Sequence, residues 1–526
     1  MSQFGELGFT CDVDHDPEKH MKFIGPEQME RLLPAEEAAL PTPIPTQIVS
    51  SDEYLPSPQS EHQHEVEVRL NALASSLARR QGVTRRRFFQ TAAGMAASYL
   101  AMNQVYGRLF SVSEAEAATP ELADERASKL KDQMIFDAHS HFLRDDPAPS
   151  VADPNRIGGL MWQRTQVTKL GWNKDLVGRE PTINDLKFDN FFKEMFLDSD
   201  TKVALLTNAP SDAPEDWLLP QEAVFKARDK INREAGSRRM LAHYTLTPGQ
   251  PGWLEGVDQA IEVHKPAGWK GYTIGDVILA HGGKTAYRLD DEKLMYPFYE
   301  KAAKAGIKNV CIHKGLFPVF AEQRLPHLAA YASVADVGKA ARDWPRLNFA
   351  IYHSGFRHLG GPPDDGLKEW EQTGRLSWLS DLAEIPEKYG VSNVYGDLGA
   401  IFAWTIIAQP KIAAAMLGTL IKGLGGDHII WGTDSVWTGS PQWQIEAMRR
   451  LEIPEDMQKK HGFAPLGPAD GPVKNAIFAE NGFRLFGYKK DAELAKPDRF
   501  AEMKVQYERD GVERTNLRYG YVHRRS

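Results

Sequence analysis

The chain has 526 residues, 42% of them hydrophobic and 25% charged, and a formal net charge of -8, a globular composition with length for one large domain plus appendages. Its mild acidity leaves no basic excess to neutralise a phosphate backbone, so nucleic acid is excluded as an expected partner. Only Cys11 and Cys311 occur, which excludes a disulfide framework and a cysteine-rich zinc site and leaves histidines and carboxylates as the ligands for any metal.

Residues 1–83 read as a polar leader. Proline-rich and acidic stretches (Leu40 to Pro45, Ser50 to Glu53, Pro56 to Pro58) predict disordered or linker-like chain, with His62, His64, Glu65 and Glu67 on its solvated surface. Residues 84–117 resemble a bacterial twin-arginine signal. Arg85, Arg86 and Arg87 precede Phe88 and Phe89, a weakly apolar run of small residues follows from Thr91 to Met102, and Ala115, Glu116 and Ala117 give a small-residue cleavage pattern. That run is shorter than the ~20 residues a bilayer requires, and Asn103, Gln104 and Arg108 interrupt its continuation, so no transmembrane helix is expected. The signal implies a periplasmic or extracellular protein delivered by the twin-arginine export machinery. The alternative is an ordinary helix with a basic N-terminal end in a cytoplasmic protein.

From Met134 onward, short β-branched and apolar runs alternate with helical patterns, the signature of a parallel sheet. Strands are predicted at Met134 to Ala138, Lys202 to Thr207, Arg239 to Thr245, Trp269 to Ile274, Asn309 to Ile312, Leu347 to Tyr352, Asn393 to Gly396 and His428 to Gly432. Helices are predicted at Trp253 to His264, Leu294 to Ala305, Trp378 to Tyr389, Lys411 to Leu424 and Pro441 to Leu451. Eight such strands suggest a closed α/β architecture, a (β/α)8 TIM-like barrel. No G-x-G-x-x-G follows the first strand, as a dinucleotide-binding open sheet would carry. The barrel domain is placed at residues 118–490, with an aromatic-rich insertion at about 145–200 and a C-terminal extension at 491–526.

In such a barrel the reactive groups stand at the C-terminal ends of strands. Strand one ends in His139 and His141, which share one side of a strand because side chains alternate with period two. Strand five ends in His313, strand six in His353 and strand eight in Asp434. Buried without a partner, such groups cost ~1–3 kcal/mol each, and a shared metal removes that cost. Asp397, ending strand seven, is read as a cap on the following helix in preference to a contact with substrate. Trp431 and Trp437 read as pocket lining or core packing, and His243 and His358 are assigned no role.

These endings, with Val473 to Tyr488 near the C-terminus, resemble the amidohydrolase superfamily, in the branch containing aminocarboxymuconate-semialdehyde decarboxylase and related hydrolases. The likeness spans about Met134 to Tyr488. It implies His139, His141, His313 and Asp434 as ligands of a divalent metal (zinc foremost, manganese or iron otherwise), with Asp434 and His353 as catalytic groups or His353 as ligand to a second metal. Lys270, at the end of strand four, stands where some relatives carry a carbamylated lysine; here it is expected to be substrate-facing or structural. The expected activity is hydrolysis of a small-molecule amide, ester or lactone by a metal-activated water. Non-oxidative decarboxylation of an aromatic or dienoic acid is the alternative, for which Lys314, Arg357 and Lys270 are candidate carboxylate partners. A catalytically silent metal-binding envelope protein ranks last, because every ligand position is filled. A homo-oligomer is allowed by the sequence.

Overall fold

The structure, a computed structural model, describes residues 42–48, 57–145, 176–177, 186–211, 217–275, 283–317, 319–357, 363–437, 439–494, 498–509 and 522–523. Eight parallel strands form one sheet in chain order: β1 Phe136–Ser140, β2 Val203–Leu206, β3 Met240–Thr245, β4 Gly268–Tyr272, β5 Asn309–His313, β6 Asn348–Tyr352, β7 Val394–Asp397 and β8 Ile429–Ile430. All of their residues except the half-buried Tyr244 and Asn348 are buried, as a sheet covered by helices demands. Trp431 O accepts a hydrogen bond from Ala138 N (2.9 Å), His139 O one from Asp434 N (2.9 Å) and Ser435 O one from His141 N (2.6 Å). These bonds join the segment after β8 to β1 and close the sheet into the expected barrel.

The surrounding helices match the predicted ones with small shifts. The run expected from Trp378 to Tyr389 divides into Leu379–Ala383 and Ile385–Tyr389, because Pro386 has no N–H to carry the ladder through. Of the insertion, residues 146–175 and 178–185 lie outside the described residues. Its last part folds as Phe188–Phe192 and Lys193–Leu197, and packs on the C-terminal helix Arg499–Arg509. There Phe500 lies 5.1 Å from both Phe192 and Phe196, and Tyr507 donates to Asp198 at 3.0 Å.

The leader requires a correction. Residues 61–80, expected to be linker-like, form helix α1 (Glu61–Arg80), opened by a reciprocal cap between Ser60 and Gln63. Val66, Leu70, Ala74 and Leu77 make its buried stripe, and this helical spacing of apolar residues is what orders it. Thr84 to Ala117 is likewise folded, as helices α2 (Arg85–Phe89), α3 (Ala92–Tyr106) and α4 (Glu114–Ala118). No described helix is long and apolar enough to cross a membrane.

Candidate metal centre

Of the four predicted ligands, His139, His141 and Asp434 meet at the C-terminal mouth of the barrel, whereas His313 is not grouped with them and lies against His353. His139 and His141 leave β1 on one side, and Asp434 faces them from the segment that closes the barrel. Asp434 Oδ1 stands 3.3 Å from His139 Nε2 and 3.2 Å from His141 Nε2. Two donors each about 2.1 Å from one ion at a tetrahedral angle stand ~3.4 Å apart, so these three atoms have ligand spacing. Asp434 Oδ1 is buried and accepts no well-formed hydrogen bond, an orphaned oxygen that a cation would satisfy. Burial pushes the Asp434 carboxyl up. The imidazoles of His141 and His353 and the Lys270 ammonium overcome that and hold it below its ordinary value, so it is ionised.

The imidazoles are held in the form a metal requires. Burial, followed by the Lys270 charge and the neighbouring imidazoles, drives His139 well below its ordinary value. Burial also lowers His141 against the pull of Asp434. Asp397 Oδ2 lies 2.9 Å from His139 Nδ1 and also accepts from the backbone N–H of His353 (3.2 Å) and Gly399 (3.0 Å). A neutral His139 that donates from Nδ1 must turn its Nε2 lone pair toward Asp434. Burial pushes the Asp397 carboxyl up to about 8, against the opposing pull of the His353 and Gly399 backbone N–H groups and the Lys270 charge. Two glycines make room for the pair: a Cβ on Gly399 would overlap His139 Nδ1, and one on Gly432 would overlap Asp397 Oδ1.

His313 and His353 form a second arm. His353 Nδ1 lies 2.8 Å from the Gly399 carbonyl, and His353 Nε2 lies 3.0 Å from His313 Nδ1. A carbonyl only accepts, so His353 Nδ1 carries a proton; its Nε2, when neutral, accepts from His313 Nδ1–H and leaves His313 Nε2 with the lone pair. Burial lowers His353 to about 4 and, with His353 and Lys270 beside it, takes His313 well below its ordinary value. His353 (φ 63°), Ser354 (φ 46°) and Asp434 (φ 61°) occupy the left-handed region, where non-glycine residues are strained and which is common in functional sites.

Lys270, on β4, is fully buried. Its Nζ lies 3.5 Å from His139 Nε2 and 3.8 Å from the centre of the Tyr352 ring, which places it inside the site. Lys314 and Arg357, the other candidate carboxylate partners, are engaged elsewhere: Lys314 with Asp336 at 2.8 Å, Arg357 with Glu322 at 2.5 Å. Trp437 stacks on His141 at 5.5 Å, whereas Trp431 packs into the core against Phe402 and Phe478. His243 is buried within the barrel, and His358 lies outside the described residues. Asp397 is the residue whose role the sequence did not disclose: it orients His139 and does not cap a helix through its side chain.

A closed parallel barrel with imidazoles and an ionised carboxylate converging at its C-terminal mouth defines a metal-dependent enzyme. Residues 136–488 match the family model described as amidohydrolase, and the chain belongs to that family. No curated protein sequence matches it. Among solved structures it is similar to 5-carboxyvanillate decarboxylase from Sphingomonas paucimobilis, at 13% identity over 68% of this chain and 100% of that one, with a TM-score of 0.39. It is also similar to 2,6-dihydroxybenzoate decarboxylase from Rhizobium (15% identity, 68% and 99% covered, TM-score 0.40). A third likeness is to 4-oxalomesaconate hydratase from Rhodopseudomonas palustris (15% identity, 72% and 100% covered, TM-score 0.38). These likenesses decide neither substrate nor reaction.

Proposed function

We propose that the chain is a metal-dependent hydrolase of a small-molecule amide, ester or lactone. One observation carries the reading: His139 Nε2, His141 Nε2 and Asp434 Oδ1 converge at ligand spacing around an oxygen that lacks a hydrogen-bond donor. These three residues would hold the ion, with His313 offering Nε2 as a further donor. Zinc is the ion proposed, before manganese or iron, because neutral imidazoles and one carboxylate suit it. When bound, a divalent ion supplies Lewis acidity, polarising a carbonyl oxygen and making water acidic enough to act as nucleophile near neutral pH.

The remaining work falls to the chain's own groups. Asp434, ionised at rest, accepts the proton of the attacking water. The Lys270 ammonium offsets the negative charge that grows on the carbonyl oxygen. His353, which lies beside Asp434, relays that same proton from the carboxyl to the leaving group, so Asp434 returns to its ionised form. The test is metal analysis beside turnover of a panel of esters, lactones and amides. A fully metallated protein inactive on the whole panel overturns the reading.

A second reading is favoured by Lys270. A buried cation resting 3.8 Å from the ring centre of Tyr352 and 5.0 Å from that of Tyr272 suits a substrate carboxylate, and the same site would then release CO2 from an aromatic or dienoic acid. Formation of CO2 without any hydrolytic product selects it.

A further inference from the structure

The stretch that resembles an export signal is built into the enzyme. Arg85, Arg86 and Arg87 stay exposed on α2, while Phe88 and Phe89 turn into the core. Thr84 caps α2 by accepting from Arg87 N, and Thr91 caps α3 by accepting from Gly94 N. A Cβ on Gly94 would overlap the Phe88 carbonyl, so the two helices meet at a position only glycine fills. Helix α3 is covered by α1 on one side and reaches the barrel's outer helices on the other, where the Tyr99 hydroxyl donates to Trp443 O at 2.8 Å. An all-round apolar helix is what a position inside two layers requires.

The segment after α3 is bound as firmly. Asn103 Oδ1 accepts from Leu109 N and Phe110 N, and its amide donates to Phe110 O. The returning chain then pairs with the barrel: Ser111 N donates to Arg450 O and Glu452 N to Leu109 O, each at 2.7 Å. The small-residue pattern that resembles a cleavage site lies in α4, where Ala117 is fully buried and Glu116 meets the buried Arg450 guanidinium at 2.6 Å. Cleavage after Ala117 would remove a partner of a buried cation and uncover the apolar surface that α3 covers.

We infer that residues 61–118 are a permanent layer of the working enzyme and that the signal-like stretch from Thr84 to Ala117 is retained. The test is the intact mass and N-terminal sequence of the folded, metal-loaded protein, purified through a C-terminal tag from a bacterium with an active twin-arginine pathway. Retention of the residues before Ala118 is expected. A folded, fully metallated form that begins at Ala118 overturns the inference. Deletion of 1–117 alone would not serve, since a failed fold is uninformative. Tyr99→Phe combined with Glu116→Gln in the full chain is therefore measured as well: a lower Tm and roughly tenfold faster proteolysis between 84 and 118 are expected, because cleavage tracks the population of the opened segment. Tm and proteolysis identical to the unsubstituted chain overturn it.

Discussion

Replacing Asp397 by Asn tests the arrangement of the site most directly, because it changes charge with almost no change in shape. In the native site one carboxylate oxygen accepts from His139 Nδ1 at 2.9 Å, His353 N at 3.2 Å and Gly399 N at 3.0 Å. The Asn carbonyl oxygen can take the same three donors, but charge-assisted bonds are roughly twice as strong as neutral ones, and the loss falls on the basicity of His139. Its NH2 group would occupy the place of Oδ1, which has no hydrogen-bond partner and lies against Gly432, leaving a buried donor unpaired. Loss of such an outer partner lowers metal affinity about 10–100-fold, which is ~1.4–2.8 kcal/mol of binding free energy. Competition against a chromogenic chelator at neutral pH reads this without recourse to a substrate. Asp397→Ala should lower affinity further and reduce Tm as well, since two backbone N–H groups lose their acceptor. Unchanged affinity in Asp397→Asn would refute the view that this carboxylate sets the His139 tautomer.

Other outcomes follow from the same geometry. His139→Ala and His141→Ala should each lose bound metal and activity together, checked by metal analysis of the purified proteins; His353→Ala should keep at least one metal while losing activity. Gly432→Ala places a Cβ 2.7 Å from His139 Cβ and over Asp397 Oδ1, and should cost ~1–3 kcal/mol of stability along with the metal, measured by denaturant unfolding with and without added ion. The metal-free protein should lose stability as pH falls from about 6.5 toward 4, followed by denaturant midpoint. His139, His141, His243, His313 and His353 are lowered by burial, so the unfolded chain takes up protons there that the folded chain refuses, at up to ~1.4 kcal/mol per pH unit for each group. Asp137, raised to about 7 by burial, works in the opposite sense and offsets part of the slope, as does the burial of Asp397.

The barrel was legible because short runs containing β-branched and apolar residues alternate with helical patterns in chain order, and the observed strands begin within two residues of the predicted ones. The positions of His139, His141, His313, His353 and Asp434 were legible for a related reason: the histidines end a strand or follow it directly and Asp434 lies in the segment after β8, and the barrel's topology sends all such ends to one mouth. Asp397 had the same positional signal, at the end of β7, yet its partner His139 is 258 positions away, and no local spacing reports such a pair. The leader was misjudged by weighing composition above periodicity. Val66, Leu70, Ala74 and Leu77 already carried a helical stripe, but the prolines and acids before them set the reading. Thr91 to Met102 shows the limit of composition differently, since a small-residue apolar helix suits a signal and an interior layer equally well.

The seam where the barrel closes is also where the proposed ligands sit: His139 and His141 lie on one lip, Asp434 on the other, and Asp434 N already donates to His139 O across it. Strand β8 has only two residues, so this junction has less sheet pairing than any other around the ring. An ion gripped from both lips would act as a stitch, and stripping it should loosen the wall at that one joint. Amide exchange after chelation would then quicken first along β1 and residues 429–437, long before the opposite wall responds.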